Sequence, residues 1–149
     1  MTAVDTKELF GQHGLRCTKQ RKVIYDALVA SKIHPTAEEL HNLVSECCPG
    51  TSLATVYNTL EALCRSGLCI RLNATTGGAR YDASQDDHLH CITDEGEILD
   101  VDRELAREIL EAMPDETLRK IERQLGVKIG AVSVQLFGCR EDLDCRDGA

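Results

Sequence analysis

Leu53, Val56, Leu60 and Leu63 recur at spacings of 3, 4 and 3 residues, behind Ser52 and ahead of Gly67. That period lays one apolar stripe along a helix and obliges the chain to supply other elements to cover it. The preceding residues supply them. Thr6 to His13 reads as a short first helix ended by Gly14, and Thr18 as the N-cap of a second carrying Val23, Ile24, Ala27 and Leu28. Thr36-Ala-Glu-Glu39 is a capping box, in which hydroxyl and carboxylate satisfy free helix-start amides reciprocally. Leu40, Leu43 and Val44 follow on one face, and Pro49-Gly50 breaks the chain before Ser52 caps the striped helix. Two β-like runs, Leu68 to Leu72 and Ala79 to Ala83, flank an uncharged Gly-containing tip. Helices followed by a β-hairpin in this order predict a winged helix-turn-helix.

The second half predicts a small mixed unit. His88 to Ile92 and Glu97 to Val101 read as strands joined by a turn at Asp94-Glu-Gly96. Asp102 is expected to cap a helix reaching Met113, where Pro114 stops it. Asp115 is expected to cap the next, with Leu118, Ile121 and Leu125 on one face and Gly126 beyond. Val127 to Phe137 reads as a long strand with a bulge at Ala131-Val132. The expected fold class is therefore α/β, of the α+β kind: a winged helix over residues 1–83, a hinge at 84–87, and a mixed α/β dimerisation domain over 88–149 with a flexible acidic tail.

Charge separates the halves. The net charge of −8 argues at first against nucleic acid, but residues 1–82 carry nine Lys/Arg against eight Asp/Glu, while residues 83–149 carry eight against seventeen. The first half can approach phosphates and the second would be repelled by them. Met1 to Glu8 is polar and no apolar run reaches the roughly 18 residues that span a bilayer, so the expectation is a cytoplasmic chain with no membrane contact. In that compartment the eight cysteines default to free thiols, metal ligands or redox sensors. Cys64 and Cys69 sit in apolar runs and read as small core residues, and Cys47-Cys48 as structural.

With the stripe buried, Ala54, Tyr57, Asn58 and Glu61 face solvent and Thr55 lies near the helix start. Small and hydrogen-bonding groups there suit base edges and phosphates, although an ordinary solvated face has the same pattern. Gly14-Leu-Arg-Cys-Thr-Lys-Gln-Arg21, His34-Pro-Thr-Ala37, Ser52-Leu-Ala-Thr-Val-Tyr-Asn-Thr-Leu60, Ala79-Arg-Tyr-Asp82 and His88-Leu-His90 occur in that order. Together they resemble the ferric uptake regulator family over residues 7 to 139. The resemblance implies a homodimer on a two-fold-symmetric, A·T-rich double-stranded operator. Its DNA contacts would come from Arg16, Thr18, Gln20, Arg21, Ser52, Ala54, Thr55, Tyr57 and Asn58. Arg16 would enter the minor groove, whose narrow A·T form attracts cations, and Tyr57 would read the major groove.

His88-Leu-His90 places two imidazoles on one face of a strand, a pattern that fits a metal ligand pair or a bland surface. His34, Asp82 and Asp100 supply further donors, from a turn, the end of the wing and the end of the following strand. The resemblance makes these five the regulatory site, and three nitrogens with two carboxylate oxygens suit Fe²⁺ or Mn²⁺, with Zn²⁺ able to enter in vitro. Asp82, Asp100 and Asn58 resemble the peroxide-sensing repressor branch. There, ferrous chemistry oxidises a ligating histidine, His34 or His88 in this chain, and DNA is released; Mn²⁺ would repress without sensing. His13 and His41 read as surface or helix histidines.

One departure from the family stands out. The two Cys-x-x-Cys pairs that hold its structural zinc are missing, since the chain reads Cys91-Ile-Thr-Asp-Glu-Gly96 and Cys139-Arg-Glu-Asp-Leu-Asp-Cys145. A structural Cys₄ zinc is predicted absent; Cys91, Cys139 and Cys145 could form a makeshift site. The second half is then expected to hold by packing of its two amphipathic helices. Competing readings are an iron- or zinc-status regulator of the same family, a small non-haem iron enzyme, and a metal-free winged-helix interaction module. The enzyme reading lacks a separate acid/base pair, and the expectation is a regulator rather than an enzyme.

Overall fold

Three side-chain caps set the helix starts of the first half, as the sequence leads one to expect. In the computed structural model, which describes residues 5–73, 77–83, 89–129, 132 and 134–140, Thr18, Thr36 and Ser52 each accept a hydrogen bond from the amide three residues on. They open α2 (Lys19–Ala30), α3 (Ala37–Cys47) and α4 (Leu53–Arg65), while α1 (Thr6–Gln12) starts at Asp5, whose carboxylate accepts from Lys7 N. The chain divides into two units, the first ending at Gln85 and the second starting at Asp86.

The first unit is a winged helix. Strands β1 (Ile70–Asn73) and β2 (Ala79–Asp82) pair antiparallel, with Ile70 opposite Asp82 and Asn73 opposite Ala79. The expected strand start at Leu68 gives way to a helix-ending turn: Gly67, at φ +79°, and Leu68 donate to the carbonyls of Cys64 and Leu63. Ile24, Leu28, Leu40, Val44, Val56, Leu60 and Leu63 form the core, with Phe10 set edge-on to Tyr25 at a 5.3 Å centroid separation. Burying a leucine such as Leu60 contributes about 1.5–3 kcal/mol. Leu53 is only half-buried, because it opens α4 at the rim of the core, and Thr59 is buried in addition to the expected stripe. The histidines read as surface or helix residues, His13 exposed just past α1 and His41 half-buried on α3, brace loops: His13 Nδ1 donates to Ser66 O and His41 Nε2 to Thr51 O, each at 2.9 Å.

The second unit holds a three-stranded sheet in the order β4-β3-β5. β3 (His90–Thr93) lies antiparallel to β4 (Ile98–Asp100) and parallel to β5 (Gln135–Gly138). The turn between β3 and β4 is the expected one, with Gly96 at φ +82° and its amide donating to Thr93 O. Helices α5 (Arg103–Glu111) and α6 (Asp115–Leu125) follow, and Asp102 caps α5 by accepting from Glu104 N.

Three expectations for this unit are corrected. Asp115 does not cap α6: Pro114 holds that position and its carbonyl accepts from Thr117 and Leu118, so Asp115 lies in the first turn, where its charge suits the helix dipole. Val127 to Phe137 is not one strand. Glu122 accepts the Val127 amide through its carbonyl and the Ile129 amide through its carboxylate, which ties that backbone to the helix end, and the strand begins only at Gln135. The expected bulge involves residue 131, outside the described residues. Finally, the two helices do little internal packing: α5 buries only Ala106 and α6 buries no residue, because their apolar stripes are left uncovered. Among the described residues no helix is long and apolar enough to cross a membrane.

Candidate metal centre and nucleic-acid interface

The N-terminal ends of α2 and α4 border a recess of about 320 Å³, lined by Arg16, Thr18, Gln20, Arg21, Thr55, Asn58 and Thr59. Local bonds shape it. Arg21 N donates to Thr18 Oγ1 at 3.2 Å and Arg21 Nη1 to Arg16 O at 3.0 Å, which turns the 16–18 segment toward the start of α2. Ser52 Oγ accepts from Thr55 N and lies 2.9 Å from Thr55 Oγ1. Two guanidinium groups beside helix N-termini make the recess attractive to an anion, and its hydroxyls and amides can bond a phosphate or a base edge.

Six of the nine residues expected to contact DNA thus share one concavity. Ser52, Ala54 and Tyr57 do not line it; all three are exposed, Ser52 and Ala54 at the start of α4 and Tyr57 one turn further on. Tyr57 Oη donates to Glu38 Oε1 at 2.7 Å, across from α3 to α4. Thr59 and Glu38 were not among the expected residues. Thr59 is four residues beyond Thr55, a spacing that would have put it on the same side; Glu38 carries no local signal, since its partner is 19 residues away.

His34 owes its place to the wing. Its backbone sits at φ +48°, in the left-handed region that non-glycine residues seldom adopt. Arg80 holds it there: Nη1 donates to His34 O at 3.0 Å and to Glu39 Oε2 at 3.1 Å, while Tyr81 N donates to Pro35 O. Glu39 Oε2 also accepts from Thr36 N and completes the capping box. Thr36 and Arg80 form an antiparallel bridge, so His34, two residues before Thr36, faces Asp82, two residues after Arg80. The two side chains are buried and His34 Nδ1 lies 3.9 Å from Asp82 Oδ1. Arg80 is a positioning residue that the sequence reading did not single out.

The second unit carries a matching pair. His90 on β3 stands opposite Asp100 on β4, with Nε2 3.5 Å from Oδ1, and Val101 N donating to Leu89 O continues the pairing. His90 is 3% exposed and the Asp100 side chain 55%, so the carboxylate is the open side of the pair. His88 lies outside the described residues, as does Cys145. Cys91 is half-buried within β3 and Cys139 is exposed just past β5.

Comparison with known proteins gives one family. The model of the ferric uptake regulator family matches residues 12–136. The peroxide operon regulator of Bacillus subtilis (strain 168) is 37% identical over 94 residues, 62% of this chain and 65% of that protein, so the match spans less than two thirds of the relative's length. Among solved structures, the Campylobacter jejuni peroxide stress regulator aligns with a TM-score of 0.64 at 25% identity, over 94% of this chain and 99% of that one. The ferric uptake regulator from Pseudomonas aeruginosa with manganese aligns with a TM-score of 0.65 at 25% identity, over 93% and 100%.

Proposed function

The chain belongs to the ferric uptake regulator family, and on that premise we propose that it is a metal-dependent transcriptional repressor that responds to hydrogen peroxide, not an enzyme. The observation that carries this reading is that each unit independently presents a histidine beside a carboxylate: His34 with Asp82, and His90 with Asp100. In this reading, residues 1–83 bind DNA, 84–87 act as a hinge and 88–149 dimerise. His34, Asp82, His88, His90 and Asp100 would hold one Fe²⁺ or Mn²⁺, with Zn²⁺ able to compete in vitro. The donor chemistry fits, since imidazole and carboxylate together suit these ions. Manganese also appears with the Pseudomonas aeruginosa relative.

Bound ferrous ion would supply the reducing electron that activates peroxide, whereas Mn²⁺ would hold the site without that chemistry. The protein's own part is to present donors. Arg80 and the capping box fix His34 against Asp82, and the β3–β4 register fixes His90 against Asp100. Oxidation of a ligating imidazole, at His34 or His88, would remove one nitrogen donor and loosen the tie between the DNA-binding and dimerising units. Two copies are implied by Leu105, Ile109, Ile121, Leu125 and Phe137, all exposed on the second unit and apolar. A two-fold operator, A·T-rich to receive Arg16, follows from such a dimer acting in the cytoplasm.

The test is binding to a DNA fragment that the Mn²⁺-loaded protein selects from a random-sequence pool. Affinity should require metal. Peroxide should abolish it in the Fe²⁺-loaded protein but not in the Mn²⁺-loaded one, with one oxygen added to the peptide carrying His34 or His88. Retained affinity of the Fe²⁺ form without an adduct would overturn peroxide sensing and leave an iron-status regulator.

A further inference from the structure

His41 belongs to neither the metal pairs nor the DNA recess, yet it holds the segment from which the DNA-facing helix starts. After α3 the chain reverses through Cys48-Pro49-Gly50-Thr51, and Thr51 N donates to Cys48 O at 3.3 Å. Gly50 stands at φ +94° behind Pro49, the pattern of a type II turn, whose third residue must be left-handed. Thr51 is 4% exposed, and among the described residues its hydroxyl has no hydrogen-bond partner. The polar contacts of this buried residue are therefore made by its backbone. Its carbonyl accepts from His41 Nε2 at 2.9 Å, across from the middle of α3. A carbonyl oxygen only accepts, so Nε2 carries the proton. Ser45 Oγ donates to His41 O at 2.7 Å and lies 3.4 Å from His41 Nε2, flanking the ring from the next turn of α3.

We propose that His41 is a positioning residue for DNA recognition: its Nε2–H, bonded to Thr51 O, sets where α4 begins and so how its reading face meets the duplex. The role rests on the reading of α4 as the DNA-facing helix. Thr51 is followed directly by the helix cap. Ser52 Oγ accepts from Thr55 N at 3.1 Å and Ser52 O from Val56 N at 3.2 Å, so a shift of Thr51 is passed to both amides. Thr55, Tyr57 and Asn58 stand on the first turns of that helix and move with it.

The bond is hard to replace from within the loop. Thr51 is buried, so a carbonyl deprived of its donor has no ready water to turn to, and leaving it unpaired is costly. The turn would shift to find another partner, and the start of α4 would shift with it. His41 thus acts on base contacts that it does not itself make.

The experiment compares the full Mn²⁺-loaded chain with His41→Phe, which keeps a flat ring but removes the donor, and His41→Gln, whose side-chain amide offers an N–H at similar reach. Two quantities are read: residue-resolved amide hydrogen exchange by NMR, and affinity for the selected DNA fragment relative to random-sequence DNA of the same length. In His41→Phe the amides of Thr55 and Val56 should exchange several-fold faster. Glu39 and Leu40, which hold the corresponding positions on α3, should keep their rates. The affinity ratio should fall about tenfold, the order that one misplaced base contact costs. His41→Gln should restore both quantities. Faster exchange spread evenly over α3 and α4, or an unchanged affinity ratio in His41→Phe, would overturn the proposal and leave His41 a general support of the fold. One measurement needs no variant: a long-range ¹H–¹⁵N correlation of the wild type at mildly alkaline pH should show the Nε2–H tautomer of His41, and the Nδ1–H tautomer would overturn the proposal. A wild type that selects no DNA sinks the DNA-binding reading together with this role. A wild type that selects DNA beside a His41→Phe of equal selectivity sinks this role alone.

Discussion

Tyr57 Oη donates a 2.7 Å hydrogen bond to Glu38 Oε1, which ties the most prominent side chain on the exposed face of α4 to a carboxylate on α3. Tyr57 is 43% exposed, so its ring edge is available while its hydroxyl is engaged. A negative charge at that point faces the surface proposed to meet phosphates. The tyrosine is therefore held in one orientation at the cost of local repulsion toward DNA.

Replacing Glu38 with Gln should tighten DNA binding several-fold and lower its salt dependence little, because an opposing charge is removed and no phosphate contact is added. Fluorescence anisotropy at two salt concentrations measures both quantities. Unchanged or weaker binding would show that the carboxylate serves DNA recognition by orienting Tyr57.

The same pair has a pH signature. Tyr57's hydrogen bond holds the Glu38 carboxyl below its ordinary value, and the Glu38 carboxylate raises the Tyr57 phenol above its own. The Glu38 contribution to stability is present above the ordinary carboxylate range and is lost as pH falls through the lowered value. The Tyr57 contribution is present below the ordinary phenol range and is lost as pH rises through the raised one. Both groups are exposed, so solvent keeps the effect small. In Glu38→Gln, phenolate absorbance during alkaline titration should show one tyrosine ionising earlier than in the wild type; an unchanged titration curve would count against the pairing in solution.

Arg80 offers a test of how His34 is held. Its guanidinium bonds His34 O and Glu39 Oε2 in a half-buried setting. Arg80→Met keeps much of the side chain's length but leaves those acceptors without their donor, which should destabilise the first unit by about 1–3 kcal/mol. Metal affinity should fall as well, since the turn carrying His34 loses its anchor. Urea unfolding and a metal titration read the two effects; a stability loss with unaltered metal affinity would separate Arg80 from the site.

The parts of this molecule that were readable from sequence are those fixed by short-range chemistry. Thr18, Thr36 and Ser52 cap their helices because the groups they satisfy lie within three residues, and the α4 stripe is legible because burial repeats with the helical period. The start of α6 was misplaced by one residue because a proline can occupy the cap position through backbone bonds alone. Val127 to Ile129 reads as strand by composition, yet a glutamate side chain seven residues back takes the Ile129 amide. Glu38 and Tyr57, and Arg80 and His34, are separated by 19 and 46 residues, so only the packing of α3 on α4 and the β2 bridge to Thr36 brings them together. His34 and Asp82 were legible as donors; the reason they meet was not.

The second unit should not be stable as an isolated single copy. Ile109 and Leu125 are 41% and 63% exposed on helices that bury almost nothing within one chain. Ile109→Glu/Leu125→Glu places charges on that apolar surface and should shift the protein from dimer to monomer in sedimentation velocity, with a lower melting temperature. A dimer of unchanged mass would place the interface elsewhere.

His34→Asn separates fold from ligation. Asparagine tolerates the left-handed region better than other non-glycine residues, so the φ of +48° at this position should survive the exchange. Without metal, the variant should then melt close to the wild type, since the Arg80 bond is to the backbone carbonyl and does not depend on the imidazole. With metal the two should diverge. A ligand at a hundred times its dissociation constant stabilises the folded state by about 2.7 kcal/mol, and the variant should lose most of that increment as its affinity falls. Melting curves with and without Mn²⁺ give all four values. A metal-dependent rise that survives in His34→Asn would remove His34 from the ligand set, whereas a large drop without metal would show that the imidazole is needed by the fold itself.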